Sequence, residues 1–282
     1  MKQVAAVSPT ARWLLLAGLV FLYAPILSLM IYSFNESRLV TVWSGFSVKW
    51  YFELFQDRQM MDAAWVSVKV AFLTACASVV LGTMAAMSLT RMRHFAGKTL
   101  FAAMITAPLV MPEVITGLSI LLMFVTLSDL FGIASTRGIA TIWAAHVTFS
   151  MAFVTIVISS RLSELDRSLE EAAMDLGANR IKVFFVITLP IIAPALVSGW
   201  LLAFTLSLDD LVIASFVSGP NSTTLPMKVF SSVRLGVSPE INALATLLIL
   251  LVSVVALFGW WLMSRDEKRR QREMQEALQQ GD

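Results

Sequence analysis

Six stretches of this sequence run for roughly 20 residues or more with almost no charged side chain, the length a helix needs to cross about 30 Å of hydrocarbon. They fall at residues 13–35, 70–90, 99–128, 138–160, 183–208 and 241–264. In lipid a backbone must satisfy its own N–H and C=O groups, so each run predicts a helix. The third run contains one acid, Glu113, and the fourth one histidine, His146. Charged residues make up 14% of the chain, against roughly 25% in soluble domains. The whole chain, residues 1–282, therefore reads as a single all-α integral membrane domain with six transmembrane helices, embedded in a lipid bilayer. The first run is span-length and lacks a small-residue cleavage site, so it reads as a span and not as a cleaved signal.

Lys and Arg set the orientation. With the N-terminus cytoplasmic, the inner segments hold about twice as many of them as the outer ones. Six spans then leave both termini cytoplasmic, and the polar tail at residues 265–282 reads as a charge anchor extending the last helix. Residues 211–227 are also uncharged, but Gly219-Pro220-Asn221 and Leu225-Pro226 interrupt them, so they read as an outer loop or a partly re-entrant segment. The net charge of +2 gives no case for nucleic acid. Cys76 is the lone cysteine and reads as a small buried hydrophobe. No His, Cys or carboxylate spacing suggests a metal site or a nucleophile–base cluster, so neither a metalloprotein nor a membrane enzyme is expected.

The loop at residues 161–190 is the most informative segment. Ser168 followed by Glu171 has the spacing of a capping box and predicts a helix start. Leu169, Ala172, Ala173 and Leu176 then form one apolar stripe at helical spacing. Gly177 suits a left-handed stop, and Asn179 can cap a second helix leading into the fifth span. Pro190 and Pro194 fall in the first turns of that span, where a missing N–H costs least.

Glu171-Ala172-Ala173, Gly177, Ile187 and Leu189-Pro190 together, before the penultimate span, resemble the signature loop of binding-protein-dependent ABC importer permeases. That resemblance implies the type I ABC importer permease fold and a docking role for Glu171, Ala172, Ala173, Gly177, Leu189 and Pro190. The helix pair would sit in a cleft on a separate ATPase subunit. No Gly-x-x-x-x-Gly-Lys-[Ser/Thr] occurs in this chain, so no cofactor is expected here, and ATP and Mg are expected on the partner ATPase.

Carboxylates in or near a bilayer cost ~2.5–3.5 kcal/mol each at a helix centre and persist where they face a path or a partner. Counted from Lys98, Glu113 lies about 22 Å along its helix, flanked by Pro108, Pro112 and Gly117, which suggest a break. It reads as path-lining or as paired with a neighbouring base. Asp209 and Asp210 repel each other, so they fit a nearby cation, a partner's base, or an ordinary helix end. Trp43 could wall a cation path through its ring or serve as an interfacial anchor. His146 reads as a hydrogen-bonded structural histidine.

The segments around Asn35 and Trp43, Ala107–Gly117, Phe204–Phe216 and Ser238–Ala243 are similar to spermidine/putrescine permeases, nearest to the second permease subunit of putrescine importers. By that resemblance Trp43, Glu113, Ser207, Asp209 and Asp210 are candidates for the path of a polyamine. The implied partners are a second, homologous permease, an ATPase dimer, and a periplasmic or extracellular polyamine-binding protein, at a bacterial inner membrane. Two rivals stand beside this: another small solute in the same importer family, and an ion-coupled secondary transporter using the same carboxylates.

Overall fold

Apolar runs became helices almost everywhere. The computed structural model describes residues 8–39, 42–92, 94–131, 137–236, 238–254 and 257. In chain order these carry α1 (Pro9–Tyr32), α2 (Lys49–Gln56), α3 (Arg58–Arg91), α4 (Lys98–Val110), α5 (Glu113–Phe131), α6 (Ile139–Glu164), α7 (Arg167–Asp175) and α8 (Arg180–Val183). A π-helical stretch (Phe184–Thr188) leads without a break into α9 (Leu189–Leu208), succeeded by α10 (Val212–Val217), α11 (Leu225–Leu235) and α12 (Pro239–Val254). Among the described residues the only extended pairing is an isolated bridge between Asn35 and Phe46.

Five of these helices, among the described residues, are long and apolar enough to cross a membrane: α1, α3, α5, α6 and the continuous Arg180–Leu208. The expected run at 70–90 starts earlier, at Arg58, because Asp62 and Lys69 are accommodated on exposed positions of a 34-residue helix. The expected run at 99–128 is two helices, broken at Met111-Pro112, where proline removes a donor and disfavours helical geometry before it. Of the sixth run, Pro239–Val254 is helical, and most of the chain beyond Val254, including the tail at 265–282, lies outside the described residues.

The chain divides into two compact units, Arg58–Ser231, and Met1–Asp57 with Ser232–Asp282. In the larger unit α3, α6 and α9 pack side by side. Lipid tails are as apolar as leucine, so burial alone does not drive such packing; close approach and hydrogen bonds must. The buried face of α3 is accordingly mostly small: beside Met60, Val70, Thr74 and Thr83 it holds Ala63, Ser67, Ala71, Ala75, Ser78, Gly82, Ala85 and Ala86. Val154 of α6 sits where a Cβ on Gly82 would meet it at 2.8 Å and one on Gly199 of α9 at 3.3 Å. Around this contact lie Ala75, Ala86, Ile158, Leu162, Ile192 and Ala203, all buried. Buried hydroxyls such as Thr83 and Thr155 return their protons to carbonyls one turn back, at 2.6 and 2.7 Å. Cys76 is only half-buried, and its sulfur accepts from Trp200 Nε1 at 3.4 Å.

In the smaller unit no residue of α1 is buried within the chain, so lipid or another chain must cover it. The loop between α1 and α2 is ordered by Asn35. Its Nδ2 donates to Val42 O (2.7 Å), its Oδ1 accepts from Ser44 N (3.0 Å), and its carbonyl accepts from Trp50 Nε1 (2.6 Å). Trp50 and Leu54 bury one face of α2.

Gly82→Ala is expected to destabilise the protein by about 1–3 kcal/mol, because Val154 and the α6 backbone stand where the methyl must go. Gly18→Ala, on α1 with nothing within 4 Å, is expected to be neutral or slightly stabilising. Thermal unfolding of the two variants in one detergent checks the contrast, and Val154→Ala should relieve only part of the Gly82→Ala clash, since Val154 Cβ and Thr155 N stay in place.

Candidate functional site

The loop at 161–190 folds as a helix pair. Asp166, not Ser168, is the N-cap of α7: its Oδ1 accepts from Ser168 N at 2.9 Å. The cap lies two residues earlier than the capping-box spacing suggests, because Asp166 holds the extended backbone a cap needs. The bond from the Ser168 backbone, then that from its hydroxyl, holds the exposed Asp166 carboxyl below its ordinary pKa. The helix ends as expected at Gly177, φ +87°, with Gly177 N bonded to Met174 O and Ala178 N to Ala173 O. Asn179 Oδ1 caps α8 through Lys182 N at 2.8 Å.

Pro190 is not near a helix start, because α8, the π stretch and α9 form one helix of 29 residues from Arg180. Leu189 N bonds Phe184 O, the wider spacing that makes room for a proline just beyond.

Two arginines bolt this pair to the end of α3. Arg91 Nε lies 3.2 and 3.1 Å from the two carboxylate oxygens of Glu170, and Thr188 Oγ1 donates to Glu170 Oε1 at 2.9 Å. Arg167 Nη2 donates to Thr90 O at 2.6 Å, satisfying a carbonyl that the helix end would leave unpaired. Glu170 therefore faces inward while its neighbours Glu171 and Ala172 are exposed. Of the stripe, Leu169, Ala172 and Leu176 are exposed, Leu176 at 91%, and Ala173 is half-buried. Glu171 lines a cleft of about 240 Å³ with Arg91, Arg167 and Arg180. A second, of about 230 Å³, has Ala173, Leu176, Gly177 and Ile187 on its walls. Sequence reasoning missed Arg91, Arg167, Glu170 and Thr188; Arg91 counted only toward orientation.

The other candidates divide. Ser207, on the last turn of α9, and Asp210 converge on His146 of α6. His146 Nδ1 is 2.7 Å from Ser207 Oγ, and Nε2 is 3.2 Å from Asp210 Oδ1, an ion-pair distance whose angle misses hydrogen-bond alignment. Asp210 Oδ1 also accepts from Ala214 N at 2.8 Å, within α10. The side chains of His146 and Asp210 are 2% and 6% exposed. The expected hydrogen-bonded histidine thus has two named partners. Asp209, by contrast, points to an exposed position, as does Glu113 in the first turn of α5.

Within residues 211–227, Ile213, Ala214 and Val217 of α10 are fully buried among Val70, Ile142, Ala145 and Phe149. A Cβ on Gly117 of α5 would meet Phe216 at 2.9 Å, so α10 lies close on α5 as well. Trp43, in the smaller unit, is 49% exposed with its ring edge-on to Tyr32 at 6.3 Å. A larger cleft of about 700 Å³ borders Asp62, Trp65, Asn221 and Lys228, where the mixed charge does not single out a cation.

The family described as binding-protein-dependent transport system inner membrane component matches residues 78–272. The chain is 63% identical over 270 residues to the putrescine transport system permease protein PotI of Escherichia coli (strain K12), covering 96% of each. It is 39% identical over 249 residues to the spermidine/putrescine transport system permease protein PotC of the same strain, covering 88% of this chain and 91% of that one. Among solved structures, a bacterial ABC transporter involved in the import of the acidic polysaccharide alginate matches with a TM-score of 0.65 at 16% identity, over 90% of this chain and 96% of that one. At that identity the likeness carries the fold alone.

Loss of Arg91 strands a largely buried Glu170 carboxylate. Arg91→Ala is expected to destabilise the loop by roughly 3 kcal/mol and to expose residues 161–190 to protease. The double variant Arg91→Ala/Glu170→Ala should lose less than the two single changes summed, measured as a double-mutant cycle of thermal unfolding.

Proposed function

This chain belongs to the family of binding-protein-dependent transport system inner membrane components, and we propose that it is the permease subunit of an ATP-driven importer of putrescine or a related polyamine. The observation that carries this reading is the near full-length likeness to permeases named for those cargoes. The chain acts as one permease domain of six spans, with α4 and α5 together forming the third and α12 beginning the sixth. Both termini are cytoplasmic, as the Lys and Arg distribution favours.

Its partner within the membrane is a second, similar permease, related by a pseudo-two-fold axis, which gives α1 a surface to meet besides lipid. An ATPase dimer holding ATP and Mg receives the α7–α8 pair through Glu171, Ala172, Ala173 and Gly177, while Leu189 and Pro190 pass its movement into α9. The exposed state of Glu171 and Ala172, beside an inward, bolted Glu170, supports that division. A soluble polyamine-binding protein delivers cargo on the opposite side. The cation then meets Glu113 and the Ser207–Asp210 segment, with Trp43 as a further aromatic candidate.

The test is uptake of labelled putrescine by the complete complex in liposomes. Glu171→Ala is expected to lower ATP-dependent uptake about tenfold, the scale of losing one docking hot spot, with the chain still folded. Uptake that persists without ATP, or a Glu171→Ala complex that binds its ATPase and transports normally, would overturn the reading.

A further inference from the structure

Asp209 and Asp210 are adjacent in sequence but stand in different surroundings. Asp210 is buried and engaged twice, by His146 Nε2 at 3.2 Å and by Ala214 N at 2.8 Å. The His146 ring sets Nε2 against Asp210 Oδ1 at ion-pair distance, out of hydrogen-bond alignment, while Nδ1 shares a 2.7 Å hydrogen bond with the Ser207 hydroxyl. The far end of α10 is held from the same helix, since Thr141 Oγ1 of α6 donates to Val217 O at 2.7 Å in a buried bond. A six-residue helix lodged between α5 and α6 leaves most of its terminal N–H and C=O groups without helical partners. Here α6 meets it at both ends.

Resting on the cation-path reading above, we infer that Asp209 is the carboxylate of the pair that meets a passing ammonium group, and that His146 is a positioning residue which reserves Asp210 as the anchor of α10. For Asp210 to bind cargo it would have to leave His146 and uncap Ala214 N–H, stranding buried polar groups. Asp209 is exposed within this chain and breaks no such contact. A diamine's second ammonium then needs a carboxylate elsewhere than Asp210, and Glu113 is exposed for it.

Four variants of the full complex in liposomes separate the roles, each measured for putrescine uptake kinetics and thermal unfolding. Asp209→Asn is expected to raise the half-saturating putrescine concentration about tenfold with the unfolding midpoint unchanged. Asp210→Asn and His146→Ala are expected to lower the midpoint by about 4 °C or more and to cut the maximal rate, with half-saturation moved less than about twofold. His146→Gln keeps an N–H donor near the position of Nε2 and should recover most of both losses. The inference fails if Asp210→Asn shifts half-saturation as Asp209→Asn does while unfolding normally, or if His146→Ala unfolds and transports like wild type. The unfolding arm decides the anchor whatever the cargo. A wild-type complex that ignores putrescine yet shows the same unfolding pattern would sink the cargo assignment and leave the anchor standing.

Discussion

Val154 pressed between Gly82 and Gly199 is the contact on which the larger unit depends. In water, three apolar helices would be driven together by burial; in lipid that force is nearly absent. What remains is dispersion between surfaces close enough to gain it, and helix backbones come that close only where side chains are glycine, alanine or serine. The small-residue face of α3 makes α6 a central rod, with Ile158 and Leu162 buried below Val154 and Ile142, Ala145 and Phe149 buried above it. Every functional element of this unit is then placed by a polar tie to that core.

Those ties differ in kind because their surroundings differ. At one end, Arg91 and Arg167 reach from and to the last turn of α3, using charge and a carbonyl the helix end leaves open. At the other, α6 supplies an imidazole and a hydroxyl, His146 and Thr141, to the two ends of a short helix whose Ile213, Ala214 and Val217 are buried. The imidazole has a nitrogen on each edge and so faces Ser207 and Asp210 at once.

The helices and the turns of the 161–190 loop were legible in the sequence because both depend on local rules. Charge-free length predicts a span, left-handed geometry favours Gly177, and an Asx cap suits Asn179. What escaped is non-local. Nothing in the spacing of Glu170 and Glu171 says which one turns inward; that depends on Arg91 and Thr188, distant in sequence and adjacent in the fold. Asp209 and Asp210 look equivalent until His146, on another helix, claims one of them. The Ser168 cap failed for a smaller reason: Asp166 competes for the same role from two residues upstream, and the chain turns extended at Asp166. Residues 211–227 were readable as interrupted because Gly219-Pro220 breaks them, but the burial of α10 was not, since it rests on Gly117 admitting Phe216.

The signature pair Leu189-Pro190 has a physical reading once the helix is seen whole. From Arg180 to Leu208 the chain forms one rod of 29 residues, about 43 Å at 1.5 Å per residue, joining the exposed α7–α8 pair to the Ser207 cluster. Pro190 would clash with the carbonyl one turn before it in a regular helix; the π stretch Phe184–Thr188 widens the rod just there. A stiff rod transmits a push along its axis but bends at its weakest turn, and the weak turn contains Thr188, whose hydroxyl is held by Glu170 of α7. Thr188 thus ties α7 to the widened turn just before Pro190, while a second proline, Pro194, lies further inside α9. The opposite end of the same rod carries Ser207 against His146, so a change in its tilt must be felt where α10 is anchored. Pro190 thus stands two residues beyond the hydroxyl that α7 grips, just past the turns that the π stretch widens.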